Sequence, residues 1–217
     1  MGLPHRRLTV QPADITHSDM AGYDLASIRA HLQRGAVEPD PPSRRYACVA
    51  AILRPGSDGA EVLLIRRSEQ IGDPWSGQMA LPGGRHDPSD RDLLYTATRE
   101  TSEEVGLDLD RGSEWIGQLA DVQAVSRGRR LGLFIRPFVF AFDDPGHATD
   151  ALTLNPSEVA EALWAPLGPM ARGELDTTKR YVYEGHELDL PAYDVGGRVV
   201  WGLTHRVLAR LFAPLDR

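Results

Sequence analysis

The sequence predicts an α/β (α+β) fold in which helices pack on a β-sheet. Three observations predict it. Strand-like apolar runs and helix-period segments alternate in the order strands, helix, strands, helix. The 217 residues are 41% hydrophobic and 25% charged, an ordinary globular balance that supports a sizeable core without disulfide or structural metal. No internal repeat or low-complexity segment divides the chain, so one domain with an extension is expected.

Residues 1–22 carry Pro4 and Pro12 and read as an irregular arm. In YDLASIRAHLQRG, Leu25, Ile28 and Leu32 recur at spacings of three and four, which predicts a short amphipathic helix closed by Gly35. Residues 37–45, VEPDPPSRR, form a Pro-rich connector. YACVAAIL (46–53) and EVLLIRR (61–67) read as a hairpin around the loop RPGSDGA (54–60). After the loop SEQIGDPWSG, the short strand QMAL runs into Pro82-Gly83-Gly84. A helix follows from about Asp90 to Val105, capped by Asp90 or Ser89 at its start and by Gly106 at its end. EWIGQLADV (114–122) and LGLFIRPFVFAF (131–142) read as strands flanking a basic loop, QAVSRGRR (123–130). The loop DDPGHATDALTLNP leads to a strand, SEVAEALWAPL (157–167). VVWGLTHRVLARLF (199–212) reads as a closing helix with Trp201, Thr204, Leu208 and Leu211 on one face.

A net charge of −7 argues against general nucleic-acid binding, while leaving room for a local basic pocket. The single cysteine, Cys48, lies in an apolar run and reads as a core residue, so no intrachain disulfide is expected and a reducing cytoplasm fits. No stretch approaches the length of a membrane span, and Arg6 and Arg7 are followed by no apolar segment of a signal peptide.

The predicted helix at 90–105 carries the chemistry. At about 100° per residue, Leu94, Ala97, Thr101 and Val105 share a core face, and Glu100, Glu103 and Glu104 lie on the flank beside it. Arg99 stands four residues before Glu103 and reaches it. Three acids near a helix C-terminus repel one another and the helix dipole unless a cation offsets them. Oxygen-only ligands suit Mg²⁺ or Mn²⁺. The alternative is a solvated acidic face. The Gly83-Gly84 turn tips the balance, because its bare backbone can approach a ligand closely.

Arg99-Glu100-Thr101-Ser102-Glu103-Glu104-Val105-Gly106-Leu107 resembles the second half of the Nudix box, with Thr101 in place of an aliphatic residue. The first half departs: Gly84 falls one residue early, and Arg91 stands where a glutamate is usual. GGRHDPSD, with Asp87 and Asp90, is similar instead to the coenzyme A pyrophosphatase subgroup. So are LLIRRSEQIGDPWSGQMALPGG, in which Leu81 replaces Phe and the subgroup's central basic residue is missing, and LPAYDVGGRVVWGLTHRVL.

The resemblance implies a Nudix fold over residues 45–213, a mixed sheet sandwiched between helices, preceded by an arm at 1–44. It implies metal-dependent hydrolysis of a nucleoside diphosphate derivative, with coenzyme A or its thioesters as leading substrate. ADP-ribose, dinucleotides or nucleoside triphosphates are the alternative substrates. A non-catalytic nucleotide-sensing module is the alternative of another class. By the match, Glu100, Glu103 and Arg99 are catalytic. Glu100, Glu103, Glu104 and the Gly83 carbonyl are ligands for Mg²⁺ or Mn²⁺, with Glu158 a further acid and Glu161 second to it. Arg66, Arg67, Arg85, Arg129 and Arg130 are the expected substrate-binding cations, with Arg127 in the same loop. His86 reads as exposed and passive, and Trp75 and Trp201 read as packing residues. The expected partner is an anionic small-molecule nucleotide, with neither nucleic acid nor membrane, and a homodimer is admitted.

Overall fold

The structure, a computed structural model, describes residues 23–32, 44–73, 75–126, 129–144, 146, 152–183 and 185–212, without the side chains of Ser126 and Arg129. The expected arm, the Gly35 cap, most of the connector and Arg127 lie outside the described residues.

The elements run α1 (Leu25–Leu32), β1 (Arg45–Gly56), β2 (Gly59–Arg67), β3 (Met79–Ala80), β4 (Gly83–Arg85), α2 (Leu93–Val105), β5 (Ser113–Gln118), β6 (Val122–Ser126) and β7 (Arg129–Phe142). There follow β8 (Val159–Pro166), α3 (Leu167–Ala171), β9 (Asp176–Tyr183), β10 (His186–Val195), β11 (Arg198–Trp201) and α4 (Gly202–Phe212). Eight strands form one mixed sheet with the path β3-β2-β1-β7-β5; β4 also pairs with β1, β6 with β7 and β8 with β2. The central pair, β1 and β7, is parallel, and the other ladders are antiparallel. β9, β10 and β11 form a separate antiparallel sheet.

The strands alternate between two cores. Ala47, Ala51 and Leu53 of β1 face one cluster with Leu25, Ile28 and Leu32 of α1 and Val207, Leu208 and Leu211 of α4. Cys48, Ala50 and Ile52 face the other, with Leu93, Ala97 and Val105 of α2. Period-two alternation sends successive side chains to opposite faces, so a strand buried on both sides reads as a continuous apolar run. The sheet is thus sandwiched between helices as expected, and Cys48 is a buried thiol. Helix α1 belongs to this core although it precedes the expected boundary at 44/45.

Several expectations are corrected. The loop at 54–60 shrinks to a tight turn, because β1 runs on to Gly56 and β2 starts at Gly59, the two glycines being paired. The basic loop at 123–130 is largely the β6–β7 hairpin. The closing helix starts at Gly202; Val199, Val200 and Trp201 belong to β11, paired with β10, and Gly202, at φ 63°, makes the corner. Trp201 packs against Tyr181 of β9, with centroids 5.7 Å apart. Among the described residues, no helix is long and apolar enough to cross a membrane.

Candidate active site

β1 pairs with β2 only near its C-terminal end, from Leu53 to Gly56, and with β4 at Ala47–Val49. The strands diverge between these registers, and the Pro82-Gly83-Gly84 turn fills the opening. Ala50 N–H donates to the Pro82 carbonyl at 2.8 Å and fixes the turn against β1. Gly83 adopts φ 144°, and a Cβ there would collide with the Cys48 carbonyl. A Cβ on Gly84 would collide with the Glu100 carboxylate. Only bare backbone lets β1 and α2 come this close.

Helix α2 starts later than expected. Asp92 caps it, accepting from Tyr95 N–H at 2.6 Å, and Gly106 ends it in the left-handed region at φ 70°. Leu93, not Leu94, begins the buried stripe that continues through Ala97, Thr101 and Val105. Thr101 donates its hydroxyl to the Ala97 carbonyl at 2.8 Å, which lets a polar residue occupy the aliphatic position. The last carbonyls of the helix are not left open. Thr153 N–H donates to Val105 O at 2.8 Å and Asn155 N–H to Glu104 O at 2.9 Å, which draws the segment carrying Glu158 onto the site.

The three carboxylates differ. Glu104 is only 2% exposed and accepts from Gly83 N–H at 2.8 Å. It was expected on the open flank; it lies instead at the centre of the buried sector. Burial, reinforced by the charges of Glu100 and Glu158, pushes its carboxyl up to about 8, against the pull of the Gly83 N–H and Arg67. Burial also raises Glu100, opposed by Arg99. Glu103 is half exposed and is held by Arg99 Nη1 at 2.9 Å.

Arg99 is the hub. It donates to Glu103, to Glu100 at 2.9 Å, and through Nε and Nη2 to both oxygens of Asp90 at 2.9 and 3.0 Å. Asp90 is buried and also accepts from Thr96 Oγ1 at 2.8 Å. The Arg99 hydrogen bonds hold its carboxyl well below the usual carboxylate range. Asp90 was expected as a helix cap; it is instead the anchor of the arginine. Its place in the Asp-x-x-Asp pattern was the available signal. His86 is not passive: its Nδ1 lies 2.8 Å from Thr96 Oγ1, in the same network.

A cavity of about 480 Å³ gathers Gly83, Arg67, Arg85, Glu100, Glu104 and Glu158. Trp75 also lines it, and its other end is apolar, walled by Leu133, Ile135, Leu203 and Val207. Arg67 is tied to Asp73 at 2.7 Å, while its buried Nε has no hydrogen-bond partner among the described residues. The remaining expected residues fall outside. Arg66 points to the other side of β2 from Arg67 and pairs with Glu161 at 3.3 Å, so neither it nor Glu161 reaches the cavity. Arg130 is exposed on the β6–β7 hairpin, and the Arg129 side chain lies outside the described atoms.

Among the described residues, no three His, Cys, Asp or Glu side chains are grouped as an ion-holding cluster as they stand, Arg99 holding two of the acids. The chemistry nevertheless fits: Glu100 and Glu104 are carboxylates raised by burial, with Glu158 facing them across the cavity, and an ion would compensate that charge.

A model of the NUDIX domain matches residues 43–185. The chain belongs to the NUDIX domain family. It is 33% identical over 209 residues to Nudix hydrolase 22, chloroplastic, of Arabidopsis thaliana, covering 88% of this chain and 63% of the relative. It is 31% identical over 161 residues to the mitochondrial coenzyme A diphosphatase NUDT8 of Homo sapiens, covering 71% of this chain and 64% of the relative. The chain thus spans less than two thirds of the length of both relatives. Among solved structures, a NUDIX hydrolase from Alicyclobacillus acidocaldarius aligns with TM-score 0.49 at 19% identity, over 80% of this chain and 93% of that one. Of the turn and the box helix, Gly83, Gly84, Glu100 and Glu104 line the cavity, and Leu81, in place of Phe, is buried in the core.

Proposed function

We propose that this Nudix chain is a metal-dependent hydrolase that cleaves the diphosphate of a nucleoside diphosphate derivative. The substrate we assign is coenzyme A or a thioester of it, giving 4′-phosphopantetheine and adenosine 3′,5′-bisphosphate. The carrying observation is Glu104, a buried carboxyl on the Gly83 N–H, sharing one cavity with Glu100, Glu158 and the cations Arg67 and Arg85. A fold that needed no anion or cation there would fill the position with an apolar side chain.

Glu100, Glu104, Glu158 and the Gly83 carbonyl would hold Mg²⁺ or Mn²⁺. The ion, when bound, neutralises the diphosphate and lowers the pKa of the attacking water. Arg67 and Arg85 bind and orient the diphosphate oxygens through charge-assisted hydrogen bonds. Arg99 fixes the carboxylates of Glu100 and Glu103, and we assign Glu103 to accept the proton of the attacking water. Phosphorus gains the water oxygen and the other phosphate leaves with the bridging oxygen.

The coenzyme A assignment is supported by the likeness to NUDT8. A cytoplasmic location and a homodimer are part of the same proposal. The test is a panel of coenzyme A, ADP-ribose, dinucleotides and nucleoside triphosphates with Mg²⁺ or Mn²⁺, products identified by mass. Coenzyme A should be cleaved fastest, and chelation should abolish the reaction. Faster cleavage of ADP-ribose would remove coenzyme A as the substrate.

A further inference from the structure

A second group of cations stands beyond the apolar end of the cavity. Leu203 and Val207 of α4 line that end. Arg206 and Arg210 follow them at a spacing of three, so both stand on the adjoining flank of the same helix. Their guanidiniums are pinned rather than loose. Arg206 Nη1 donates to the Gln123 carbonyl at 3.0 Å, and Arg210 Nη1 donates to Ala120 O at 2.5 Å and Asp121 O at 2.6 Å. Arg130 sits opposite Val125 on the same β6–β7 hairpin. Among the described residues, none of the three pairs with a carboxylate, in a chain whose net charge is −7. Partial desolvation of the otherwise exposed Arg206, and then the charges of Arg210 and Arg130, press its pKa below its usual value. An anion among them would relieve that repulsion.

We propose that Arg206, with Arg130 and Arg210, forms an anion subsite for a phosphate monoester that the substrate carries at a distance from its diphosphate. This rests on the hydrolase reading of the cavity: the carboxylate end takes the diphosphate, and the arginine end takes the second phosphate. A 3′-phosphate and a 2′-phosphate on an adenosine ribose present the same chemistry, so the test carries both. Equilibrium binding is measured without metal for adenosine 3′,5′-bisphosphate, adenosine 2′,5′-bisphosphate and adenosine 5′-monophosphate.

One bisphosphate should bind at least about tenfold more tightly than the monophosphate, as expected for charged hydrogen bonds. Arg206→Gln keeps an exposed polar side chain and should erase most of that preference without changing monophosphate binding. Equal binding of all three nucleotides, or a preference that survives the Arg130→Gln/Arg206→Gln double variant, overturns the subsite. Hydrolysis of coenzyme A with Mg²⁺ is followed separately. Discrimination without hydrolysis overturns the hydrolase reading alone; hydrolysis without discrimination overturns the subsite alone.

Discussion

Glu104 shows what a single buried carboxyl costs and provides. In the metal-free protein its pKa stands at about 8, against an ordinary 4.5. The folded state keeps a proton that the unfolded chain releases, so this contribution to stability is complete below the unfolded value and is lost as pH rises toward the folded one. We therefore expect the urea midpoint of metal-free protein to fall between about pH 5 and pH 8, and Glu104→Gln to flatten that fall. An equally steep profile in the variant would assign the effect to another group. The same substitution should lower turnover at least about a hundredfold. Asp90→Asn belongs beside it. Breaking a bidentate, partly buried pair should cost roughly 3 kcal/mol and release Arg99, lowering kcat with KM little changed. Unaltered kcat would reduce Asp90 to a structural role. The box glutamates were legible as a group because they follow one another on one helix, but the burial of Glu104 was not, since its position falls within the sector that faces the core. The grip of Asp90 was not, because it crosses nine positions through an irregular turn.

At the scale of elements, α2 and its neighbours decide how exactly the site is held. Leu93 is buried and Leu94 only partly so. Leu93→Ala should cost roughly 2–5 kcal/mol and Leu94→Ala clearly less, read by chemical denaturation. The reverse order would mean the helix is rotated from its described phase. Periodicity found the helix and most of its core face, yet set that face too far round, with Leu94 in place of Leu93 and Glu104 left on the flank. The β9–β10–β11 sheet escaped notice for a different reason. β9 is exposed along most of its length and β10 along its first half, so TTKRYVY and HELDL show no apolar face. β6 was hidden by its Ser, Arg and Gly neighbours, and β11 by an apolar run continuous with α4. Such strands are specified by their partners more than by their own composition.

For the molecule as a whole, the sheet separates two cores, and α1 completes one of them. Ile28 is 1% exposed in the same cluster as α4. Ile28→Ala should therefore destabilise the entire domain by roughly 2–5 kcal/mol in a single transition, rather than fray a separate arm. Two separated transitions would contradict this. That helices pack on a sheet was legible from the order of elements, whereas its mixed character was implied only by the resemblance to the Nudix family. The parallel alignment of its central pair was not, since a strand's own residues do not record the direction of a partner so far along the chain.

That parallel pair also sets a clock. Arg45 aligns with Leu133 and Leu53 with Ala141, close to ninety positions apart in sequence. At a synthesis rate of about 5–20 residues per second, β1 emerges roughly 5–20 seconds before its central neighbour. During that interval the hairpin with β2 can form, but the other edge of β1, apolar on both faces, stays bare. A bare edge of this kind templates pairing with other chains. Yield in the cell should then depend less on the final stability of the protein than on whether that edge is shielded until β7 arrives.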